Sequence, residues 1–424
     1  MKEPIVSVLA LTYNHVEYVD DMLKGFLKQE TDFEVEYIIH DDASTDGTQE
    51  VLREFEEKHP DFLHVIYEDV NQWSKGVKIF RDILLPMAKG KYIAFCEGDD
   101  FWVDKNKLHK QKDFLDKNEE CVCVAHNALI WDCKNDILRA QDNYNTSRYL
   151  EARDIIDRRF PSIATASKMH RREVLNLEPM FLDCGEVGDM PTDFFVFTKG
   201  KIYYMDEIMS IYRYESNGSW SQRVNNNIKK LIKWRGITLD FLSNYNEYTN
   251  HMYTNYIEVY MTRGVQGIIK KMTEDNIPQE EFVRWIQELK TENKRYIQHY
   301  DEIVRVINLM VYKKSDELKK YLENNKNSIY IYGAGLYGNV MGEFLKENDI
   351  DFEGFVVKNT SENPQQLLDK NVISLKEFSN IKDQSLLIVG VGSIFWEEMY
   401  NDLNKYHIDK YINPLKMKFI NTNC

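Results

Sequence analysis

Cysteine is scarce and poorly spaced for chemistry. The 424-residue chain has six, at 96, 121, 123, 133, 184 and 424, with no CxxC pair and no zinc-ligand spacing. That excludes a disulfide scaffold and a zinc ribbon, and the thiols read as reduced and packed. Positive charge is also in deficit: 54 Lys plus Arg stand against 69 Asp plus Glu, a net charge of −15. Such a balance is a poor footprint for nucleic acid or anionic lipid, so no nucleic-acid partner is expected. No window approaches the ~20 apolar residues that span a bilayer. The N-terminus, MKEPIVSVLALTYNH, lacks the basic flank and long apolar core of a secretory signal. A cytoplasmic location is the expectation.

What is present is the composition of a folded protein, 43% hydrophobic with 29% charged. The length is too great for one ordinary core and points to two or three domains. From residue 5 strand and helix patterns alternate: IVSVLALTY, VEYVDDMLKGFLKQ, VEYIIHDD, TQEVLREFEEKH, LHVIYED, VKIFRDILLPMAKG, KYIAFCEGDD. Alternation of this kind predicts a parallel sheet covered by helices. Polar clusters stand at the strand ends, TYNH, HDDASTDGT and EGDD, where such sheets place their crevice. Residues 222–327 read as long amphipathic, mostly Gly-poor and Pro-poor helices, a linker or subdomain. From Ser328 the strand-turn-helix pattern resumes, predicting a smaller third α/β domain over 328–424.

The stretch CEGDDFW drives a buried strand into three carboxylates, Glu97, Asp99 and Asp100. Crowded like charges are costly unless a cation or hydrogen bonds satisfy them. Asp99 and Asp100 are hard oxygen ligands suited to Mg²⁺ or Mn²⁺, which can hold a diphosphate. A lone DD is more simply a helix cap or a turn. That plainer reading weakens because Asp41 and Asp42 form a second pair, where a carboxylate can accept the N3–H of a uracil and Tyr13 offers a ring for the base. Arg81 could serve the phosphates or the base, or be a solvated helix residue.

LTYNH (11–15), DDASTDGT (41–48), AKGKYIAFCEGDDFW (88–102) and DKNKLHKQKDFL (104–115) together resemble the family-2 glycosyltransferases of the GT-A fold. The resemblance covers about the first 220 residues and is closest to the subgroup with an EGDD motif and a KLxKQ helix. It implies an α/β GT-A domain, Rossmann-like and built for nucleotide-diphospho-sugars, over 1–221. It also implies an inverting transferase that uses a nucleotide-diphosphate sugar, commonly a UDP-sugar, with Mn²⁺ or Mg²⁺. Carried over by position, it puts Tyr13 and Asp42 at the base with Asp41 close by, Asp99 at the ribose and diphosphate, and Asp100 on the metal, and leaves Glu97 open.

An inverting displacement needs a base beside the acceptor hydroxyl. In EVGDMPTDFFVFTKGKIYY the resemblance places Asp189 there, with Asp193 one helical turn on as competitor. The family's Glu-Asp pair reads Gly188-Asp189. In YRYESNGSWS the place of a frequent histidine is taken by Glu215, a plausible oxygen ligand, and Trp220 either covers the sugar or packs. In SIATASKMHRR, Thr165, Ser167 and His170 lie where relatives line the acceptor side. The expected acceptors are a lipid-linked glycan, a surface or cell-wall polymer, or a glycoprotein. Peripheral association at the inner membrane face and self-association stay open.

GAGLYG (333–338) fits GxGxxG between a strand and a helix. The acidic residue that a dinucleotide ribose requires is replaced by Lys358 and Asn359, which disfavours NAD. The domain resembles Rossmann-like modules appended to bacterial polysaccharide enzymes. The alternatives to a transferase are a nucleotide-binding oxidoreductase or regulator centred on GAGLYG, or an inactive sugar-binding scaffold.

Overall fold

The structure is a computed structural model, and it describes residues 3–141, 146–156, 163–178, 188–225, 227–310, 316–360, 363, 365–391 and 395–414. The chain divides into two compact units, Met1–Asn226 and Asn227–Cys424.

The first unit is built on one sheet. Strands β1 (Val6–Thr12), β2 (Val35–Asp41), β3 (His64–Tyr67) and β4 (Tyr92–Glu97) lie in the order β3-β2-β1-β4 and are mutually parallel. Both faces are covered, so β1 and β4 are apolar along almost their whole length instead of alternating. The helix Val19–Leu27 shows how the cover is written: Val19, Met22, Leu23 and Phe26 are buried, spaced as one helical face. The same sheet continues through β9 (Met169–Arg171), β6 (Cys121–Asp132), β10 (Lys201–Tyr214) and β5 (Phe101–Trp102), with β7 (Ile137–Ala140) on β6 and β8 (Arg148–Tyr149) on β10. Here β9 runs antiparallel to β4 and β6, and β5 antiparallel to β10. This change of direction brings β10 and the chain after it alongside the end of β4. The KLxKQ helix, Lys107–Lys117, is pinned beneath: Gln111 donates to the carbonyls of Val124 and Ser167 at 3.0 and 2.8 Å.

In the second unit a six-stranded sheet has the order β13-β14-β12-β11-β15-β16, parallel except for β13 on β14. Its strands are β11 (Ser328–Tyr332), β12 (Gly354–Val357), β13 (Gln366–Leu367), β14 (Lys370–Ser374), β15 (Ser385–Val389) and β16 (Tyr411–Ile412). The helices expected before it are present as Ile228–Tyr248, Thr254–Glu274, Gln279–Glu292, Ile297–Met310 and Asp316–Glu323. They are not a bare spacer, because Val265, Leu318 and Leu322 share one apolar core with Ile329, Ile331, Phe355 and Ile388 of the sheet. Among the described residues no helix is long and apolar enough to cross a membrane.

The GAGLYG glycines pack against one another. A Cβ on Gly338 would meet the Gly333 carbonyl oxygen at 2.0 Å, one on Gly333 the Gly390 oxygen at 2.5 Å, and Gly333 has φ +103°. Close strand-helix approach is enough to require glycine there. Lys358, the residue available for a phosphate, is held by Glu398 and Asp402 at 2.7 and 3.3 Å.

Candidate functional site

Three segments of the first unit converge at the carboxyl ends of its strands: the turn after β4, the end of β10, and the start of the helix Asp189–Lys199. The turn itself is set by Gly98, where a Cβ would lie 2.6 Å from His15 Nδ1 and from Thr12 Cγ2, so the end of β1 leaves room only for glycine. The last residues of β10 are tied to the turn. The Arg213 N–H donates to Asp100 Oδ1 at 2.9 Å, its guanidinium to the Asp99 carbonyl at 2.8 Å, and the Ser216 hydroxyl to Asp99 Oδ2 at 2.7 Å. Arg213 is buried among the rings of Tyr18, Phe101 and Trp131 and also pairs with Asp21.

The carboxylates differ in exposure. Asp99, Glu97 and Asp189 are half-buried, whereas Asp100 is completely enclosed and its Oδ2 has no hydrogen-bond partner among the described residues. Burial, then the charges of Asp99 and Glu97, push the Asp100 carboxyl well above the usual range, against the Arg213 N–H. Burial, then Asp99 and Asp189, push Glu97 up to about 8, against Lys168. Burial, followed by Asp100, Glu97, Asp99 and Asp189, raises the Tyr212 phenol. Glu97, Asp99, Asp100, Asp189 and Tyr212 therefore share one electrostatic neighbourhood.

The two aspartates considered for the base separate cleanly. Asp193 is buried and takes a hydrogen bond from the buried Lys168 ammonium at 2.6 Å. Asp189, at the helix start, is half-buried, and among the described residues its carboxylate accepts only its neighbour's N–H, from Met190 at 2.7 Å.

The other candidates sit in different surroundings. Asp42 is buried, and its two oxygens accept the N–H groups of Gln72 and Trp73 at 2.7 and 3.1 Å. Asp41 is buried and accepts from Thr12, Ser44 and Gln49. Both anchor loops of the crevice instead of presenting a free carboxylate to a base. Tyr13 stays 45% exposed at the end of β1, with its ring open to a planar partner. Arg81 pairs with Asp82 and lines a cavity with Pro4, Ile5, Gly90 and Lys91, which lie at the amino ends of β1 and β4. Those ends are roughly 20 Å from the crevice, at ~3.3 Å per strand residue. Ser167 and His170 are buried, Ser167 donating to Ala164, so neither faces an acceptor.

Reading the sequence missed Tyr212, Arg213, Ser216 and Lys168. YRYESNG carried a signal for the first three, a polar cluster at the end of a long strand. Lys168, between two short buried segments, carried none.

Residues 7–177 match the family model described as glycosyl transferase family 2. The match spans 171 of the 424 residues, from β1 to just beyond β9. An uncharacterised protein of Mycobacterium tuberculosis is 34% identical over 222 residues, 51% of this chain and 60% of that protein. The putative teichuronic acid biosynthesis glycosyltransferase TuaG of Bacillus subtilis is 39% identical over 113 residues, 27% of this chain and 42% of TuaG. WfaP of Escherichia coli, a UDP-Glc:α-D-GlcNAc-diphosphoundecaprenol β-1,3-glucosyltransferase, is 32% identical over 112 residues, 26% of this chain and 41% of WfaP. The chain spans about 60% of the length of the first curated relatives it matches. Among solved structures, residues 1–349 of Staphylococcus aureus TarS in complex with UDP-GlcNAc align with a TM-score of 0.52 and 17% identity, covering 81% of this chain and 92% of that one. That likeness shows the GT-A fold. The acidic turn, β1, β4 and β9 lie within the matched residues, whereas Asp189 and β10 lie beyond them.

Proposed function

We propose that the protein is a metal-dependent, inverting glycosyltransferase. It moves a sugar from a nucleotide-diphosphate sugar, a UDP-sugar in the first instance, to a glycan acceptor in surface-polysaccharide, cell-wall or glycoprotein glycan synthesis. The observation that carries this reading is the separation of two carboxylate roles in one crevice. Asp99 and Asp100 gather after β4, Asp189 stands free at a helix start beside them, and its competitor Asp193 is consumed by Lys168. The names of TuaG and WfaP support a glycan product, and that of WfaP a UDP-sugar donor.

The donor set fits a divalent cation: Asp100 Oδ2 is a buried oxygen without a hydrogen-bond partner among the described residues, and Asp99 is half-buried beside it. Among the described residues no three side chains form a ready cage, as expected where one or two carboxylates share the ion with substrate phosphates. Asp99 and Asp100 would hold it, and when bound it neutralises charge on the departing diphosphate. Tyr13 stacks on the base, in a recess whose loops Asp41 and Asp42 fix. Asp189 accepts the proton of the acceptor hydroxyl as that oxygen bonds to the anomeric carbon. The bond from that carbon to the diphosphate breaks, its electron pair leaving with the nucleoside diphosphate.

The test is a panel of nucleotide sugars scored for nucleoside-diphosphate release with Mn²⁺ or Mg²⁺. Release from at least one UDP-sugar, lost in Asp99→Ala, is expected. No release or transfer from any donor, with or without metal, would leave the scaffold reading in its place.

A further inference from the structure

The turn between the helices Ile228–Tyr248 and Thr254–Glu274 has a composition unlike the rest of the chain. Residues 243–257, SNYNEYTNHMYTNYI, hold four tyrosines, four asparagines and a single charged side chain, Glu247, where the chain's 29% would give about four. A helix surface that meets water normally carries charge on its outer side. This turn does meet water: Met252 is 71% exposed, Tyr248 36% and Tyr256 37%, and Asn250 and His251 are exposed between them.

The turn is also braced from within. The N–H groups of Thr249, Asn250, His251 and Met252 donate to the carbonyls of Tyr245, Glu247, Asn246 and Thr249 at 2.8–3.1 Å. Asn250 and His251 take φ of 49° and 61°, so the chain reverses over two residues. Behind them the buried Asn246 donates to His251 Nδ1 at 3.0 Å, which puts the ring proton on Nε2, and accepts from the Thr254 hydroxyl at 3.0 Å. The rings of Tyr245 and Tyr253 stack across the reversal with centroids 6.4 Å apart. The exposed side chains therefore stand on a fixed frame, which lowers the ordering cost of binding.

Exposed rings with so little charge around them narrow the class of partner. Nucleic acid and charged protein faces are held largely by ion pairs, which a stretch with one carboxylate and no Lys or Arg does not supply. A sugar ring is uncharged, lays an apolar C–H face on an aromatic ring, and carries hydroxyls at its rim for amide and imidazole groups. We propose that this turn binds an uncharged glycan, with Tyr248, Tyr256 and Met252 against the sugar faces and Asn250 and His251 on the hydroxyls. That the glycan is a segment of the acceptor rests on the transfer reading above; the binding itself does not.

The experiment titrates the full chain with cellohexaose, laminarihexaose, N-acetylchitohexaose and hexagalacturonate by calorimetry, without nucleotide or metal. At least one neutral hexasaccharide should bind with a Kd below about 1 mM, and more tightly than hexagalacturonate. The double variant Tyr248→Ala, Tyr256→Ala should lose about tenfold, whereas Tyr248→Phe, Tyr256→Phe, which keeps the rings, should stay within about threefold. Met252→Asp, a change at a side chain too exposed to carry the fold, should weaken binding at an unchanged Tm, and so reports even where the alanine variant melts early. Binding should survive Asp99→Ala, and nucleoside-diphosphate release from a donor alone should be the same in the tyrosine variants as in the wild type, so the site and the transferase reading fail separately. The proposal is overturned if no neutral hexasaccharide binds, if hexagalacturonate binds best, or if binding is lost in Asp99→Ala and kept in the tyrosine-to-alanine variant. Tyrosine-dependent dimerisation in ultracentrifugation, or tyrosine-dependent sedimentation with phosphatidylcholine vesicles, in place of glycan binding, overturns it as well.

Discussion

Asp193→Asn and Asp189→Asn should part company, one failing in stability and the other in turnover. Asp193 and Lys168 form a buried ion pair at 2.6 Å, with Lys168 4% and Asp193 6% exposed. Removing one partner of such a pair leaves an uncompensated buried charge and costs about 3–5 kcal/mol. For a unit of 150–250 residues each kcal/mol moves Tm by roughly 2–4 °C, so Asp193→Asn should lower melting by about 6–20 °C. Asp189 is half-buried and, among the described residues, bonded only to the neighbouring N–H, so Asp189→Asn should leave Tm nearly unchanged. Its loss as general base should instead lower transfer by about 10²–10⁴-fold with nucleotide binding intact. The double change Lys168→Met, Asp193→Leu removes both charges and should recover much of the lost stability, since apolar replacement of a buried pair is often neutral or better. Calorimetry and single-turnover transfer on the four proteins decide the matter. An Asp193→Asn protein that melts normally yet cannot transfer, beside an active Asp189→Asn, would refute the assignment.

Two further changes probe the frame of the site. Arg81→Ala should leave UDP binding within about twofold, because Arg81 lies at the amino ends of the strands and its exposed pair with Asp82 contributes at most ~1 kcal/mol; a tenfold loss measured by calorimetric titration would return it to the donor site. Lys107 is fully buried, donates to Gln111 at 2.8 Å, lies 4.1 Å from the Trp102 ring and has its pKa pushed down to about 7 by burial. Between about pH 7 and 10 the unfolded chain then holds a proton that the folded chain does not, so stability should rise with pH by up to ~1.4 kcal/mol per unit. Urea unfolding at pH 7.5 and 9 should show that rise in the wild type and not in Lys107→Met; identical pH dependence in the two proteins would contradict it.

The fold was legible where the pattern was local. Short apolar strands ending in TYNH, HDDASTDGT and EGDD, with helical spacing between them, announce a parallel sheet and its crevice before any coordinate is known. The antiparallel insertion of β9 was not legible, since three buried residues carry no period. Among the candidate residues, Asp99, Asp100 and Asp189 were picked out because carboxylates in unusual places advertise themselves. Asp41 and Asp42 advertise themselves equally and yet are spent on loop N–H groups, because a residue's identity does not say which way its hydrogen bonds run. Arg81 was misplaced for a related reason. Its stretch begins near the crevice end of the sheet, and the cavity that its side chain lines opens at the other.

The arrangement of cations explains how four carboxylates can stand so close. Arg213 reaches Asp99 through its carbonyl, Asp100 through a backbone N–H, and balances its own charge on Asp21. Lys168 balances Asp193 and lies close enough to ease Glu97. Both are buried at 4% exposure, so neither can swing forward without opening the core. Their charge stabilises the acidic turn from the buried side.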